Sequence, residues 1–316
     1  MSDKREPPLV RPADQQGLAQ AARLLRGEGL VAVPTETVYG LAARADSAAA
    51  VAAIYRAKGR PDFNPLIVHI PDLAAAQELA EFDARALALA EAFWPGALTL
   101  VLPLRPDARI AAAVTAGLST LALRCPAHPA MQALLRLTGL PLAAPSANRS
   151  GGVSPTSAAH VAGSLGAAVP LILDGGGCAA GLESTIVALR AAVRWQILRP
   201  GPVTETRLAA VLGCAPDAVT SAGIEAPGQL VQHYSPGKPL RLEATERAPA
   251  EFLIGFGALA GDFNLSASGD LAEAAARLYA GLHAGAAADQ PSIAVAAIPQ
   301  TGIGSAINDR LRRAAA

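Results

Sequence analysis

Apolar residues recur at Leu18, Ala21, Ala22 and Leu25, the i, i+3, i+4, i+7 spacing of a helix face. Asp14 stands ready as its cap, and Gly27 and Gly29 end it. Leu30 to Val33 is an unbroken apolar run, read as a buried strand. Pro34 stops it, having no N–H for a ladder. A second helix is predicted from about Asp46 to Ala57, with Val51, Ile54 and Tyr55 inward. Lys58-Gly59-Arg60-Pro61 closes it. Asn64 to Ile70 reads as a strand. Asp72 and Asp83 open two short helices, the second ending at Trp94-Pro95-Gly96.

Further strands are predicted at Leu98 to Leu104, Ser119 to Arg124, Leu140 to Ala144, Leu171 to Asp174, Thr185 to Leu189 and Arg194 to Leu198. Between them lie a helix from about Pro129 to Thr138 and another starting near Thr156. Thr204 is expected to cap a helix carrying Leu208, Val211 and Leu212. Strands and helices interleave without strict alternation, which predicts a mixed, twisted α/β sheet with helices packed on it.

After Gly213 the texture changes. Residues 226–239 hold three prolines and two glycines and read as a stiff, extended linker. Beyond it come strand candidates at Leu240 to Leu242, Phe252 to Phe256 and Ile293 to Ile298. A helix begins with an Asp270-x-x-Glu273 capping box, and a tail helix covers Ser305 to Arg313. This predicts a second, small α/β domain, in keeping with a length of 316 residues.

Composition narrows the function. With 52% hydrophobic and 16% charged residues the chain is globular. Its zero net charge removes the broad attraction on which a dedicated nucleic-acid binder relies. Cys125, Cys178 and Cys214 are odd in number and widely spaced, so neither zinc nor a disulfide framework is expected. Free thiols fit a reducing cytoplasm. The N-terminus lacks the apolar core of a signal peptide, and no apolar run approaches the ~18 residues of a membrane span.

Polar clusters punctuate the strand ends, where open α/β sheets bind ligands. Thr35, Glu36, Thr37 and Tyr39 follow the first strand. Lys58, Arg60 and Asn64 surround a proline-pinned loop that suits a phosphate, although cations are also favoured at a helix C-terminus. His69 lies in an apolar strand, where a packed core histidine is the plainer reading. Arg124 ends its strand and needs an anion, from a ligand or from an ion pair. Residues 145–156, rich in hydroxyls and amides, lead into a helix N-terminus and could hold an anion or merely cap. Glu183-Ser184-Thr185 and Leu198-Arg199-Pro200-Gly201 complete the set.

Absences matter too. Gly237-Lys238 is followed by proline, so there is no P-loop. No GxGxxG follows a strand, and no GxSxG or neighbouring Cys-His pair suggests a nucleophile. Cations, hydroxyls and amides without a nucleophile point to phosphoryl or nucleotidyl transfer by charge stabilisation.

Taken in order, PTETVYGL, KGRPDFNPLIVHI, STLALR, PSANRSGGVSPT, ESTIV and LRPG resemble the YrdC-like threonylcarbamoyl-AMP synthase family. HYSPGKPL and GSAINDRLRR resemble its longer members, which carry a C-terminal domain. The resemblance implies a YrdC-like catalytic domain over 1–213, a linker over 214–239 and a Rossmann-like domain over 240–316. It implies the reaction of L-threonine, bicarbonate and ATP to threonylcarbamoyl-AMP and pyrophosphate, with Mg²⁺ expected beside the ATP. The product would pass to tRNA threonylcarbamoyl transferase proteins for modification next to the anticodon.

By motif, the resemblance assigns Thr37, His69, Arg124, Ser146 and Ser184 to threonine. It assigns Arg60, Asn64, Thr120, Asn148, Thr156, Arg199 and Tyr234 to ATP. Lys58 and Arg60 become the catalytic cations, and no residue is assigned to a metal. The alternatives are a double-stranded RNA-binding module of the same fold, for which a weak RNA contact would remain, and carbamoyl transfer to another acceptor. About 14 extended residues reach roughly 45 Å. The linker, with Val231 and Tyr234 to bury, is therefore expected to lie over the substrate cavity, with Tyr234 against the nucleotide.

Overall fold

The computed structural model describes residues 8–61, 63–190, 194–218, 225–227 and 233–316. Among the described residues ten strands form one mixed sheet: β1 (Leu9–Pro12), β2 (Val31–Val33), β3 (Gly40–Arg44), β4 (Ile67–His69), β5 (Leu98–Pro103), β6 (Thr120–Arg124), β7 (Leu142–Ala143), β8 (Leu171–Asp174), β9 (Thr185–Leu189) and β10 (Trp195–Arg199). Their spatial order is β1-β8-β2-β3-β7-β4-β6-β5-β9-β10. Pairing is mixed: β2 is antiparallel to β3 and parallel to β8, while β6 is parallel to β4 and antiparallel to β5.

Helix starts follow side-chain caps. Asp14 accepts from Gly17 N at 2.8 Å and opens α1 (Gln15–Arg26). The second helix, α2 (Ala48–Lys58), begins later than its apolar pattern suggests. Ser47 caps it, because Asp46 is taken by an ion pair with Arg44 at 2.7 Å. Its C-cap, Gly59, has φ of 59°, a left-handed turn that glycine adopts without strain. Asp72 and Asp83 cap α3 (Leu73–Gln77) and α4 (Ala84–Phe93). The short α5 (Ala112–Thr115) follows β5. α1 and α6 (Pro129–Thr138) pack on one face of the sheet around Leu25, Leu134 and Leu173. α2, α4, α7 (Ala158–Leu165) and α8 (Glu205–Leu212) contribute to the larger core around Ile54, Leu89, Leu100 and Trp195. Thr204 sits at the α8 N-cap but its side chain makes no capping hydrogen bond.

The second sheet is all parallel, ordered β11 (Leu240–Ala244), β14 (Ser292–Ala296), β12 (Glu251–Gly255), β13 (Phe263–Asn264). It packs with α9 (Leu271–Ala287) and α10 (Gly304–Ala314). The expected capping box at α9 is only half formed. Asp270 accepts from Glu273 N at 2.7 Å, but the Glu273 carboxylate accepts from Ser266 Oγ at 2.6 Å. Asp270 N turns instead to Ser266 Oγ at 3.0 Å.

The two sheets do not keep separate cores. Val38, Val153, Leu182 and Tyr234 share one cluster with Leu278, Leu282, Ile307 and Leu311 of the second domain. The backbones approach closely at Gly181, where φ is 67° and a Cβ would lie 2.4 Å from Ala276 Cα of α9.

Candidate active site

The sheet topology places the chemistry. His69 and Arg124 are register partners at the C-terminal ends of the parallel strands β4 and β6. Both are buried, at 3% and 4% exposure, so each must find a polar partner within the protein or in a ligand. The turn after β2 comes to meet them. The Thr35 hydroxyl donates to Val38 O at 2.6 Å and accepts from Thr37 N and Val38 N, both at 3.2 Å. This local ring of bonds fixes Thr37, whose hydroxyl accepts from Arg124 Nη1 at 2.8 Å. Arg124 Nη2 donates to Glu36 Oε1 at 2.6 Å, and its Nε to Gly96 O at 3.2 Å.

Two more arginines face the same cavity. Arg199 ends β10 and donates to Ser184 O at 3.1 Å and Ser184 Oγ at 3.2 Å. Ser184 Oγ also pairs with Thr99 Oγ1 at 2.7 Å. Gly201 permits this contact between loops, since a Cβ there would lie 2.6 Å from Thr185 N. Arg60, just past the Gly59 turn, donates to Pro65 O at 3.0 Å. Burial pushes the Arg60 guanidinium down to about 10.

One cavity is lined by Thr37, Arg60, His69, Arg124, Ser146, Ser184, Arg199 and Tyr234 among the residues named from the sequence. Val38, Ile67 and Ala144 supply apolar wall. Glu183, Pro227 and His233 line it too, although none of these had been assigned a role. Three guanidinium groups against one lining carboxylate give the cavity a positive surplus in a chain of zero net charge. Burial first, then the Arg124 charge, hold His69 down at about 3, so it is neutral at ordinary pH. His233 is likewise held at about 3 by burial. Glu183 behaves oppositely. Burial alone would raise its carboxyl, but Arg310 and then Arg199 outweigh it and bring the pKa to about 2.

Lys58, Asn64, Thr120, Asn148 and Thr156 are not among the residues lining this cavity. Lys58 Nζ donates to Ser146 O at 2.6 Å and Asn148 O at 2.5 Å, so its ammonium spans the backbone of the 146–148 loop. Burial, then the Arg60 charge, push its pKa well below the ordinary lysine value. Asn148 Nδ2 donates to the carbonyls of Arg149 and Gly152, both at 2.8 Å. The Thr156 hydroxyl meets His160 Nδ1 at 3.4 Å. Thr120 opens β6, half-buried, opposite Pro103. Asn64 is buried at the foot of the Arg60 loop. The side-chain oxygens of Asn64 and Asn148 and Nδ1 of His69 are buried without a hydrogen-bond partner, the condition of atoms that fit a polar ligand.

Of the described linker residues, Pro227, His233 and Tyr234 line the cavity. Pro227 O accepts from Arg199 Nη1 at 3.5 Å, and Tyr234 is 1% exposed. Residues 228–232, Val231 among them, lie outside the described residues.

Residues 23–201 match the Sua5/YciO/YrdC family model, described as telomere recombination. The chain belongs to this family. Residues 203–316 match the model described as threonylcarbamoyl-AMP synthase, C-terminal domain. A Bacillus subtilis relative named threonylcarbamoyl-AMP synthase is 42% identical, over 94% of this chain and 92% of its own. A Pyrococcus abyssi relative of the same name is 44% identical over 68% of this chain and 64% of its own. The crystal structure of P. abyssi Sua5 complexed with L-threonine superposes with a TM-score of 0.87 at 34% identity, covering 98% of this chain and 96% of that one. The mixed sheet plus second parallel sheet is therefore the architecture of that Sua5 structure.

Among the described residues no group of three or more His, Cys, Asp or Glu could hold a metal. Among them, too, no helix is long and apolar enough to cross a membrane.

Proposed function

We propose that the chain is an L-threonylcarbamoyl-AMP synthase, joining L-threonine, bicarbonate and ATP with release of pyrophosphate. The observation that carries this is the convergence of Arg124, Thr37, His69, Ser146 and Ser184 with Arg60, Arg199 and Tyr234 around one positive cavity. The Arg124 fork suits the threonine carboxylate, with Thr37, Ser146 and Ser184 offering hydroxyls beside it. Neutral His69 can accept from the substrate without adding charge. The small wall of Val38, Ile67 and Ala144 suits one methyl group.

In the reaction the threonine amine bonds to the carbon of bicarbonate and water leaves, giving a carbamate. A carbamate oxygen then bonds to the α-phosphorus of ATP as the bond to the β-phosphate oxygen breaks. Pyrophosphate carries away that electron pair. Arg60 and Arg199 stabilise the charge that builds on the phosphates. Asn64, Asn148, Thr156 and Thr120 shape the nucleotide side, with Lys58 holding the 146–148 loop. Magnesium carried by the triphosphate keeps most of its waters and needs few protein ligands, so it would enter with ATP. The linker, 214–239, would form one wall of the site between the catalytic domain, 1–213, and the C-terminal domain, 240–316. The product would feed tRNA threonylcarbamoylation in the cytoplasm.

The test is incubation with ATP, bicarbonate, magnesium and single amino acids while pyrophosphate is followed. Release that depends on threonine is expected. Release indifferent to the amino acid would remove the reading.

A further inference from the structure

Arg310 lies on α10 with no exposure at all, far in sequence from every motif of the cavity. Its three nitrogens are all engaged. Nε donates to Glu183 Oε2 at 2.8 Å, Nη1 to Asp309 at 2.7 Å and Nη2 to Pro200 O at 2.9 Å. Glu183 precedes Ser184, and Pro200 follows Arg199. The guanidinium also lies 5.4 Å from the ring centroid of Tyr234. One side chain of the C-terminal domain thus touches the cavity residues Glu183 and Tyr234 and, through Glu183 and Pro200, the neighbours of Ser184 and Arg199.

Tyr234 needs such support. Its φ is 67°, in the left-handed region that a bulky residue seldom adopts. Such a conformation persists only where the surroundings over-determine it. Tyr279 of α9 stacks on the ring at 5.6 Å and donates its hydroxyl to Glu183 Oε2 at 2.8 Å. Ser154 donates to Glu183 Oε1 at 2.5 Å. The backbone on each side is tied as well: Ser235 N donates to Gly151 O at 2.8 Å and His233 N to Arg313 O at 3.3 Å.

We propose that Arg310 is a positioning residue for ATP, acting through Tyr234, which it holds by its own ring contact and by the Glu183 carboxylate that also fixes Tyr279 against the ring, so that the C-terminal domain sets the nucleotide geometry without touching the nucleotide. The inference rests on the proposed function for the identity of the ligand. A lysine at 310 keeps the charge but cannot hold three acceptors in one plane. Arg310→Lys should weaken ATP binding by about tenfold or more, the usual scale for lost charge-assisted bonds, while threonine binding changes far less.

The test is calorimetric titration of the full-length protein with MgATP, and separately with threonine, for the wild type, Arg310→Lys, Tyr234→Ala and the double variant. If Arg310 acts through Tyr234, the double variant binds ATP no worse than Tyr234→Ala. Multiplied losses, or equal losses for ATP and threonine, would overturn the proposal, as would wild-type protein that does not bind ATP. Should Arg310→Lys fail to fold, Tyr279→Phe removes only a hydroxyl from Glu183 and must show the same non-additivity with Tyr234→Ala; additivity there also overturns it. Threonine-dependent pyrophosphate release by the wild type is read in parallel. Its absence beside intact ATP coupling would sink the activity and leave the positioning role standing.

Discussion

Arg124 and Glu36 are joined by a 2.6 Å ion pair, with side-chain exposures of only 5% and 17%. Burial alone would raise the Glu36 carboxyl, but Arg124 reverses that and lowers it. An arginine proposed to hold a carboxylate ligand is therefore already oriented by a carboxylate of the protein.

Arg124→Ala would leave Glu36 unpaired, and breaking a buried pair costs about 3–5 kcal/mol. That loss would confuse stability with binding. Arg124→Lys is the cleaner variant. It keeps a charge for Glu36 but loses the planar fork. The KM for threonine is expected to rise about tenfold or more, with the KM for ATP nearly unchanged. Equal rises in both constants would make Arg124 purely structural.

Lys58→Ala should destabilise the protein. It strips a donor from two loop carbonyls, Ser146 O and Asn148 O. Unpaired buried groups cost about 1–3 kcal/mol each, which a melting curve resolves. A variant that melts like the wild type yet releases pyrophosphate slowly would place the ammonium at the phosphates instead.

Acid should weaken the fold in two stages. His69 and His233 are neutral in the folded protein down to about pH 3, whereas an unfolded histidine protonates near 6.5. The unfolded chain therefore binds more protons below about pH 6.5, and stability falls as pH drops from there. Glu183, held at about 2 against an ordinary 4.5, adds a second loss below that ordinary value. Melting temperatures at pH 7 and pH 5 test the first stage, and His69→Gln should reduce the difference. Equal melting at both values would contradict it.

Serine should compete with threonine only moderately. The missing methyl would leave a gap against Val38, Ile67 and Ala144, and one methyl in an apolar pocket is worth about 1–3 kcal/mol. Competition measured at equal concentrations should show tens-fold preference. A preference beyond a thousandfold would require a rejection step not described by this pocket.

Much of the fold is legible locally because its signals are local. Asp14, Asp72 and Asp83 cap helices as their positions suggest. Leu171–Asp174 and Thr185–Leu189 are strands with the bounds their apolar runs predict. The strands that escape are weakly marked. β1 is exposed along its whole length and ends in proline, so only its parallel pairing with β8 reveals it. β3 runs straight on from the polar turn at Thr37, which hides its start. β13 has only two residues, too few for a pattern, whereas the equally short β7 lies inside the run predicted at Leu140 to Ala144.

The cavity was legible for a similar reason: its polar groups sit at strand ends and loops, where they contradict an apolar pattern. Arg310 was not, since Glu183 lies 127 residues away. A trace exists nonetheless. Ala306, Ile307, Arg310, Leu311 and Ala314 form one buried face, and an arginine in that stripe needs an anion. Lys58 stays ambiguous in the sequence because a cation beside a glycine-proline loop looks the same whether its partner is phosphate or backbone carbonyl.

Gly181 carries a mechanical consequence. With hydrogen for a side chain, it lets its backbone rest against the α9 backbone at Ala275 and Ala276. A methyl there would be a shim between the two halves of the molecule, and clearing it would require a gap wider by roughly an ångström. Tyr279 lies one helical turn beyond Ala275, so such a gap would tilt it away from Glu183. The spacing between the halves is thus gauged by the thickness of a single peptide, and the tolerance of the cavity wall at Glu183 and Tyr234 is set at a point outside the cavity lining.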